Sequence, residues 1–159
     1  MSKESTLLIE HKSNGIVSLI LNRPKLHNAF DDKLIEQLID ALTKLALQKD
    51  CRIIILKSTG VNFSAGADLA WMRNMANASE DDNYQDAIQL SKLMRTLNEF
   101  PKPCIAEVQG SAFGGAVGLV SCCDMAVASE NASFSLSEVK IGLIPATISP
   151  YVVDAIGLR

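Results

Sequence analysis

The sequence predicts a single α/β domain, and three observations predict it. Apolar runs of strand length alternate with longer runs at helical spacing. Two of the strands are each followed by a glycine-bearing loop of small residues and then at once by a helix, the pattern of a layered architecture whose turns repeat. The 159 residues, 48% of them hydrophobic, suffice for one real core and no more.

Taken in order, Thr6–His11 and Ile16–Leu21 are apolar runs flanking the turn signal Ser13-Asn14-Gly15, and they read as a hairpin. Asn22–Ala29 is a polar loop in which Pro24 stops the strand. A helix is expected from Asp31 or Asp32, with Leu34, Ile35, Leu38, Ile39, Leu42, Leu45 and Ala46 on one buried face. Arg52–Lys57 is a β-branched run that ends in Ser58-Thr59-Gly60, so it reads as a buried strand. A short helix carrying Trp71, Met72 and Met75 follows, with those side chains in the core or walling a pocket. Asn77–Asn83 is expected to be a polar, mobile break before a helix from about Tyr84 to Phe100, ended by Pro101 and Pro103. Then come a strand over Cys104–Val108, the loop Gln109–Gly115 and a small-residue helix over Ala116–Cys122. Short strands at Met125–Ala128 and Ser133–Leu136, a loop at Ile141–Pro145 and a helix from Ser149 to Leu158, with Pro150 in its first turn, complete the expected order.

Composition excludes several functions. Fifteen Lys+Arg against 18 Asp+Glu leave a net charge of −3, with no basic run to bind nucleic acid through its phosphates. No apolar stretch is long enough to cross a bilayer, and Met1–Ser5 lacks the regions of a signal peptide, so a cytoplasmic location is expected. The four cysteines, Cys51, Cys104, Cys122 and Cys123, form no Cys-x-x-Cys pair, and only two histidines accompany them. Buried free thiols and no metal site are expected.

The chain is organised around Val61–Leu69, at the carboxyl end of the Arg52–Lys57 strand. Asp68 is placed to cap the helix that starts at Leu69, because its carboxylate can accept from the free N–H groups of the first turn. Strand end, glycine and helix start together aim backbone N–H groups at one point, a design for an anion or a developing oxyanion. The plainer reading is a tight strand-to-helix connection. A second unit of the same kind, Cys104 to Cys122, places another helix start in the corresponding position. A Gly-x-Ser-x-Gly hydrolase motif is absent, and Gly110–Gly118 does not supply the Gly-x-Gly-x-x-Gly of a dinucleotide-binding unit.

The stretches Phe63–Leu69, Gln109-Gly110-x-Ala112-x-Gly114-Gly115, Cys123–Ala126 and Ser137–Pro145, with Asn22-Arg23-Pro24 and Asn28-Ala29, resemble the enoyl-CoA hydratase/isomerase (crotonase) superfamily. The resemblance runs from about Thr6 to Arg159. Within it, Ala65–Met72 and Ile148–Val153 look most like bacterial methylglutaconyl-CoA hydratases of leucine and isoprenoid breakdown. It implies a crotonase-like spiral of ββα turns, with residues 1–159 forming the N-terminal spiral domain of a C-terminally truncated chain whose C-terminal helical region is absent.

What the resemblance implies about function is a coenzyme A thioester as substrate, with CoA as part of the substrate and no separate cofactor or metal. The thioester oxygen would accept from the backbone N–H groups of Ala67 and Gly115, and Glu138 would be the acid/base; read without the resemblance, Glu138 is a surface glutamate. Lys25, Leu26 and His27, with Ala65, Asp68, Leu69 and Ala70, would lie along the CoA moiety. One departure concerns Gly118, which stands where hydratases of the family commonly carry a second glutamate. The expected reaction is hydration of an enoyl-CoA such as 3-methylglutaconyl-CoA. One-glutamate double-bond isomerisation and non-catalytic acyl-CoA binding are the alternatives, and the resemblance implies a homotrimer or hexamer for the full-length chain.

Overall fold

The computed structural model describes residues 5–158; Met1–Glu4, most of the stretch read as lacking the regions of a signal peptide, and Arg159 lie outside the described residues. The hairpin is present: β1 (Leu7–His11) pairs antiparallel with β2 (Ile16–Leu21), Leu7 opposite Leu21 and His11 opposite Val17. Parallel to β2 lie β3 (Ile53–Ser58) and β4 (Cys104–Val108). A separate two-stranded parallel sheet joins β5 (Ser111–Phe113) to β7 (Ser133–Ser135). The main sheet ends with β6 (Met125–Ala128), giving the order β1-β2-β3-β4-β6. Parallel pairing demands crossovers, which is why strands here alternate with helices and why β2 is buried almost throughout.

The first crossover is α1 (Asp32–Leu47). The Leu34 N–H donates to the Asp31 carboxylate at 3.0 Å, and Leu34, Ile35, Leu38, Ile39, Leu42 and Leu45 are buried beneath the helix. The second crossover contains α2 (Leu69–Met75) and α3 (Glu80–Asn98), and α3 packs on α1 through Leu93, Met94 and Leu97. Here the expected break is corrected. Only Ala76–Ser79 separates the helices, and residues 80–83 are helical. Ser79 and Asp82 form a capping box, and the acidic run Glu80-Asp81-Asp82 sits where the helix start attracts negative charge. The end is also earlier than expected, at Asn98.

The remaining helices are α4 (Gly115–Ser121), between β5 and β6, and α5 (Ser149–Ile156), which packs on α4. Ser137–Ile141 forms a short 3-10 turn that leads into the expected loop. Exposed apolar side chains gather on β6, β7 and the segment after them, including Met125, Val127, Phe134, Val139 and Ile144. The cysteines are free as expected; Cys51, Cys104 and Cys122 are buried and Cys123 is half-buried. Burial, with the neighbouring Cys104, pushes the Cys122 thiol up to about 12. Among the described residues no helix is long and apolar enough to cross a membrane, and no cluster of metal-ligating side chains occurs.

Candidate active site

Phe30 joins the parts of the site. Its ring is fully buried, worth about 1.5–3 kcal/mol relative to exposure, and its backbone lies against the first organising loop. The Phe30 N–H donates to Gly66 O and the Asp68 N–H to Phe30 O, each at 2.9 Å. The same ring backs the second loop, since a Cβ added to Gly115 would lie 2.7 Å from Phe30 Cζ.

The two loops touch each other through backbone. Gly66 has φ +86°, and a Cβ there would meet Phe113 O at 2.6 Å and Gly115 N at 3.5 Å. Only glycine satisfies both conditions, so the residue that lets the loops meet also places Ala67 beside Gly115. The Gly66 N–H is held by Ser64 Oγ at 3.1 Å, and Ser64 Oγ–H donates to Asn28 O at 2.8 Å. By contrast, neither the Ala67 N–H nor the Gly115 N–H has an acceptor among the described residues. Gly115 is the first residue of α4, where the helix itself offers none.

Ala67, Gly115 and Glu138 line one cavity of about 150 Å³. Glu138 arrives on the 3-10 turn after β7, and its Oε1 would lie 3.2 Å from a Cβ on Gly114. Its Oε2 is buried and has no hydrogen-bond partner among the described residues. Leaving a buried polar oxygen unpaired costs about 1–3 kcal/mol, and native proteins rarely keep one without a use. Apart from Glu138 and Thr147, the side chains around the cavity are apolar, Phe30, Met72, Leu143 and Ile148 among them. Larger grooves lie between β1 and α1, about 290 Å³, and between α4, β6 and α5, about 460 Å³; neither holds Glu138 or either free N–H.

The predicted rim residues come together on one side. The His27 carbonyl accepts from the Ala65 N–H at 2.9 Å, and the His27 ring meets Asn62 Nδ2 at 2.9 Å, so Lys25-Leu26-His27 runs alongside Ala65–Ala70. Lys25, Leu26, His27, Ala65, Leu69 and Ala70 are exposed there. Asp68 differs. Its Oδ1 accepts from the N–H groups of Ala70 and Trp71, and its Oδ2 pairs with Arg23 at 2.9 Å. Its own N–H and C=O are bonded to Phe30 and Met72. With every polar atom engaged inside the protein, Asp68 holds α2 in place and offers no free donor to the rim. Burial pushes its carboxyl upward, but those N–H groups and the Arg23 guanidinium outweigh it and hold the carboxyl below its ordinary value.

Sequence reasoning assigned no role to Arg23, Asn28 or Ser64. Arg23 donates to Ala29 O at 2.6 Å and pairs with Asp31 at 3.2 Å as well as with Asp68. Asn28, fully buried at φ 53°, accepts from the Arg23 N–H and donates to Thr59 O and Asn62 O. All three lie in the stretches that carry the family resemblance, Asn22-Arg23-Pro24, Asn28-Ala29 and Phe63–Leu69, but nothing local to those stretches gives their partners. Of the aromatic and methionine candidates, Met72 lines the cavity, Trp71 packs on the core and Met75 is half-buried.

A family model for enoyl-CoA hydratase/isomerase matches residues 11–159. The chain belongs to the enoyl-CoA hydratase/isomerase family. An enoyl-CoA hydratase from Shewanella pealeana, of known structure, superposes with a TM-score of 0.94 at 50% identity, over 98% of this chain and 58% of that one. This enoyl-CoA hydratase/isomerase chain is 34% identical to crotonyl-CoA hydratase of Syntrophomonas wolfei, over 87% of its own length and 52% of the relative's. It is 33% identical to the mitochondrial Delta(3,5)-Delta(2,4)-dienoyl-CoA isomerase of Mus musculus, over 80% and 42%. The chain thus spans about half the length of the curated relatives it matches. Its fold is the crotonase fold expected from the sequence.

Proposed function

We propose that the cavity is the reacting end of an enoyl-CoA hydratase site, and that the substrate is an enoyl-CoA thioester such as 3-methylglutaconyl-CoA. The observation that carries this is the buried, unpartnered Oε2 of Glu138 in the same cavity as the free N–H groups of Ala67 and Gly115. The thioester oxygen accepts from both N–H groups. Glu138 takes a proton from water as its oxygen bonds to the β carbon, and the π electrons move onto the thioester oxygen, where both donors stabilise the enolate. The protonated Glu138 then returns its proton to the α carbon, so water has been added and the carboxylate restored. The exposed rim of Lys25-Leu26-His27 and Ala65-Leu69-Ala70 lies along the CoA moiety, and Lys25 supplies a cation for its phosphates. Leucine and isoprenoid breakdown, or fatty acid metabolism more broadly, is the matching metabolic setting, in the cytoplasm and, for the full-length protein, as a homotrimer or hexamer.

One observation favours a second reading. Among the described residues Glu138 is the only carboxylate lining the cavity, and position 118 carries no side chain. A single carboxylate can remove a proton from the α carbon of a 3-enoyl-CoA and return it to the γ carbon, which is double-bond isomerisation.

The test is NMR of 3-methylglutaconyl-CoA and of a 3-enoyl-CoA in D₂O with the protein and with Glu138→Gln. Water addition that falls by about 100-fold or more in the variant supports the hydratase. Double-bond migration alone moves the assignment to isomerase. Binding of both thioesters without turnover of either leaves a non-catalytic acyl-CoA binding protein.

A further inference from the structure

Gly118 and Ile148 compete for one space. A Cβ built on Gly118 would lie 2.4 Å from Ile148 Cγ2 and 2.8 Å from its Cβ, with Met94 Sδ at 3.2 Å. No side chain fits at position 118 while Ile148 is where it is. Ile148 itself is 2% exposed, sits at the start of α5 and also lines the cavity that holds Glu138. The missing side chain at 118 is therefore what lets α5 dock on α4 and present an isoleucine to the cavity.

The position along α4 gives this contact a meaning. Gly115, which lines the cavity, is three residues before Gly118, about 4.5 Å along the helix axis. An acyl chain whose carbonyl oxygen meets the Gly115 N–H, and which runs down the same helix, reaches the level of Ile148 after roughly three to four carbon–carbon bonds. At that level stand Ile148 and Met94, both buried apolar side chains, and protein interiors do not yield such space cheaply.

We propose that Ile148, seated on Gly118, sets the depth of the acyl site and restricts the protein to short acyl chains. This rests on reading the cavity as the acyl site. Ile148 touches no reacting atom; it determines specificity, and its removal should act on KM more than on kcat.

The experiment compares wild type, Ile148→Ala and Ile148→Val on 2-enoyl-CoAs of four, six and eight carbons by turnover. Calorimetric Kd values for the saturated butanoyl, hexanoyl and octanoyl thioesters are measured in parallel, so that the result does not depend on turnover. Wild type should prefer four carbons to eight. Ile148→Ala should raise the eight-to-four ratio roughly tenfold, the scale on which a methylene discriminates in an apolar pocket. Should Ile148→Ala fail to fold by circular dichroism, Ile148→Val carries the test with a smaller shift in the same direction. No binding of any acyl-CoA by wild type overturns the reading of the cavity itself. Binding of the butanoyl thioester with an unchanged length ratio in both folded variants overturns the role of Ile148 alone.

Discussion

The two loops that bring free N–H groups to the cavity reach the same result by different construction. The Asn62–Leu69 loop adds side-chain ties to its backbone bonds with Phe30 and His27: Asn28 bonds Asn62 O, Ser64 supports the Gly66 N–H, and Asp68 caps α2 while gripping Arg23. The Gln109–Gly115 loop is tied through backbone near its donor. Gly114 N–H donates to Ser135 O at 2.9 Å, β5 pairs with β7, and α4 has no side-chain cap. A loop held by polar side chains is vulnerable to their removal and to acid. A loop held by backbone pairing and close approach is vulnerable to added atoms.

The largest effect should come where the two constructions meet. Gly66→Ala adds a methyl group 2.6 Å from Phe113 O at φ +86°. Left-handed strain of about 1–3 kcal/mol joins an overpacking cost of about 1–3 kcal/mol, and thermal unfolding should move down by roughly 5–15 °C. An unchanged melting temperature would dissolve the claim that the loops meet backbone to backbone.

Next in size is Asn28→Ala, which strips partners from the Arg23 N–H, Thr59 O and Asn62 O. A loss of about 2–3 kcal/mol is expected in urea unfolding. Hydrogen exchange sharpens the comparison: the Ala65 and Gly66 amides should lose protection while Gly114 keeps its own. Equal loss in both loops would mean they open as one unit.

Acid gives a smaller and graded effect. Asp68 is held below its ordinary 3.8 in the folded protein, so it binds its proton less readily folded than unfolded. Its stabilising contribution is fully present above that value and drains away as the pH falls through the lower folded one. Arg23→Met removes part of what holds the carboxyl down. The variant should be less stable at pH 7, and its stability should fall less between pH 5 and pH 2.5; an identical acid slope would detach Arg23 from the titration.

The smallest effect should be none at all. Cys122, its thiol pushed up to about 12 by burial, should resist iodoacetamide at pH 7.5 for as long as α4 stays docked. Asn28→Ala should not accelerate its labelling as read by mass spectrometry. Faster labelling would show that damage to the first loop reaches the second.

Much of this was legible from local pattern. The hairpin around Asn14-Gly15, the α1 face from Leu34 to Leu45, the Ile53–Leu56 strand and the Asp68 cap follow from rules that act within a few residues. Both glycine loops were visible because small residues next to a strand end leave few alternatives. The failures share a cause. The start of α3 was hidden because Glu80-Asp81-Asp82 reads as solvated loop unless the capping geometry of Ser79 is known. β5 is a three-residue strand inside the expected Gln109–Gly115 loop, too short for any period, whereas β7 falls within the strand expected at Ser133–Leu136. Arg23 finds Asp68, and Gly118 finds Ile148, only after the sheet has brought distant segments together.

That distance has a consequence for how the protein regains its site. Phe30 bridges Ala67, Ser64 bridges Ala112, and Glu138 reaches the cavity from beyond β7, so every wall is a contact between segments far apart in sequence. Parallel pairing of this kind pays its loop-closure entropy before any contact rewards it, which places refolding in the slow, millisecond-to-second regime of non-local topologies. Helices such as α1 can form on a far shorter timescale. Recovery of helical signal after dilution from denaturant is therefore no measure of a restored cavity, and refolded material should be judged by a probe of the cavity itself, such as the acyl-CoA binding proposed above.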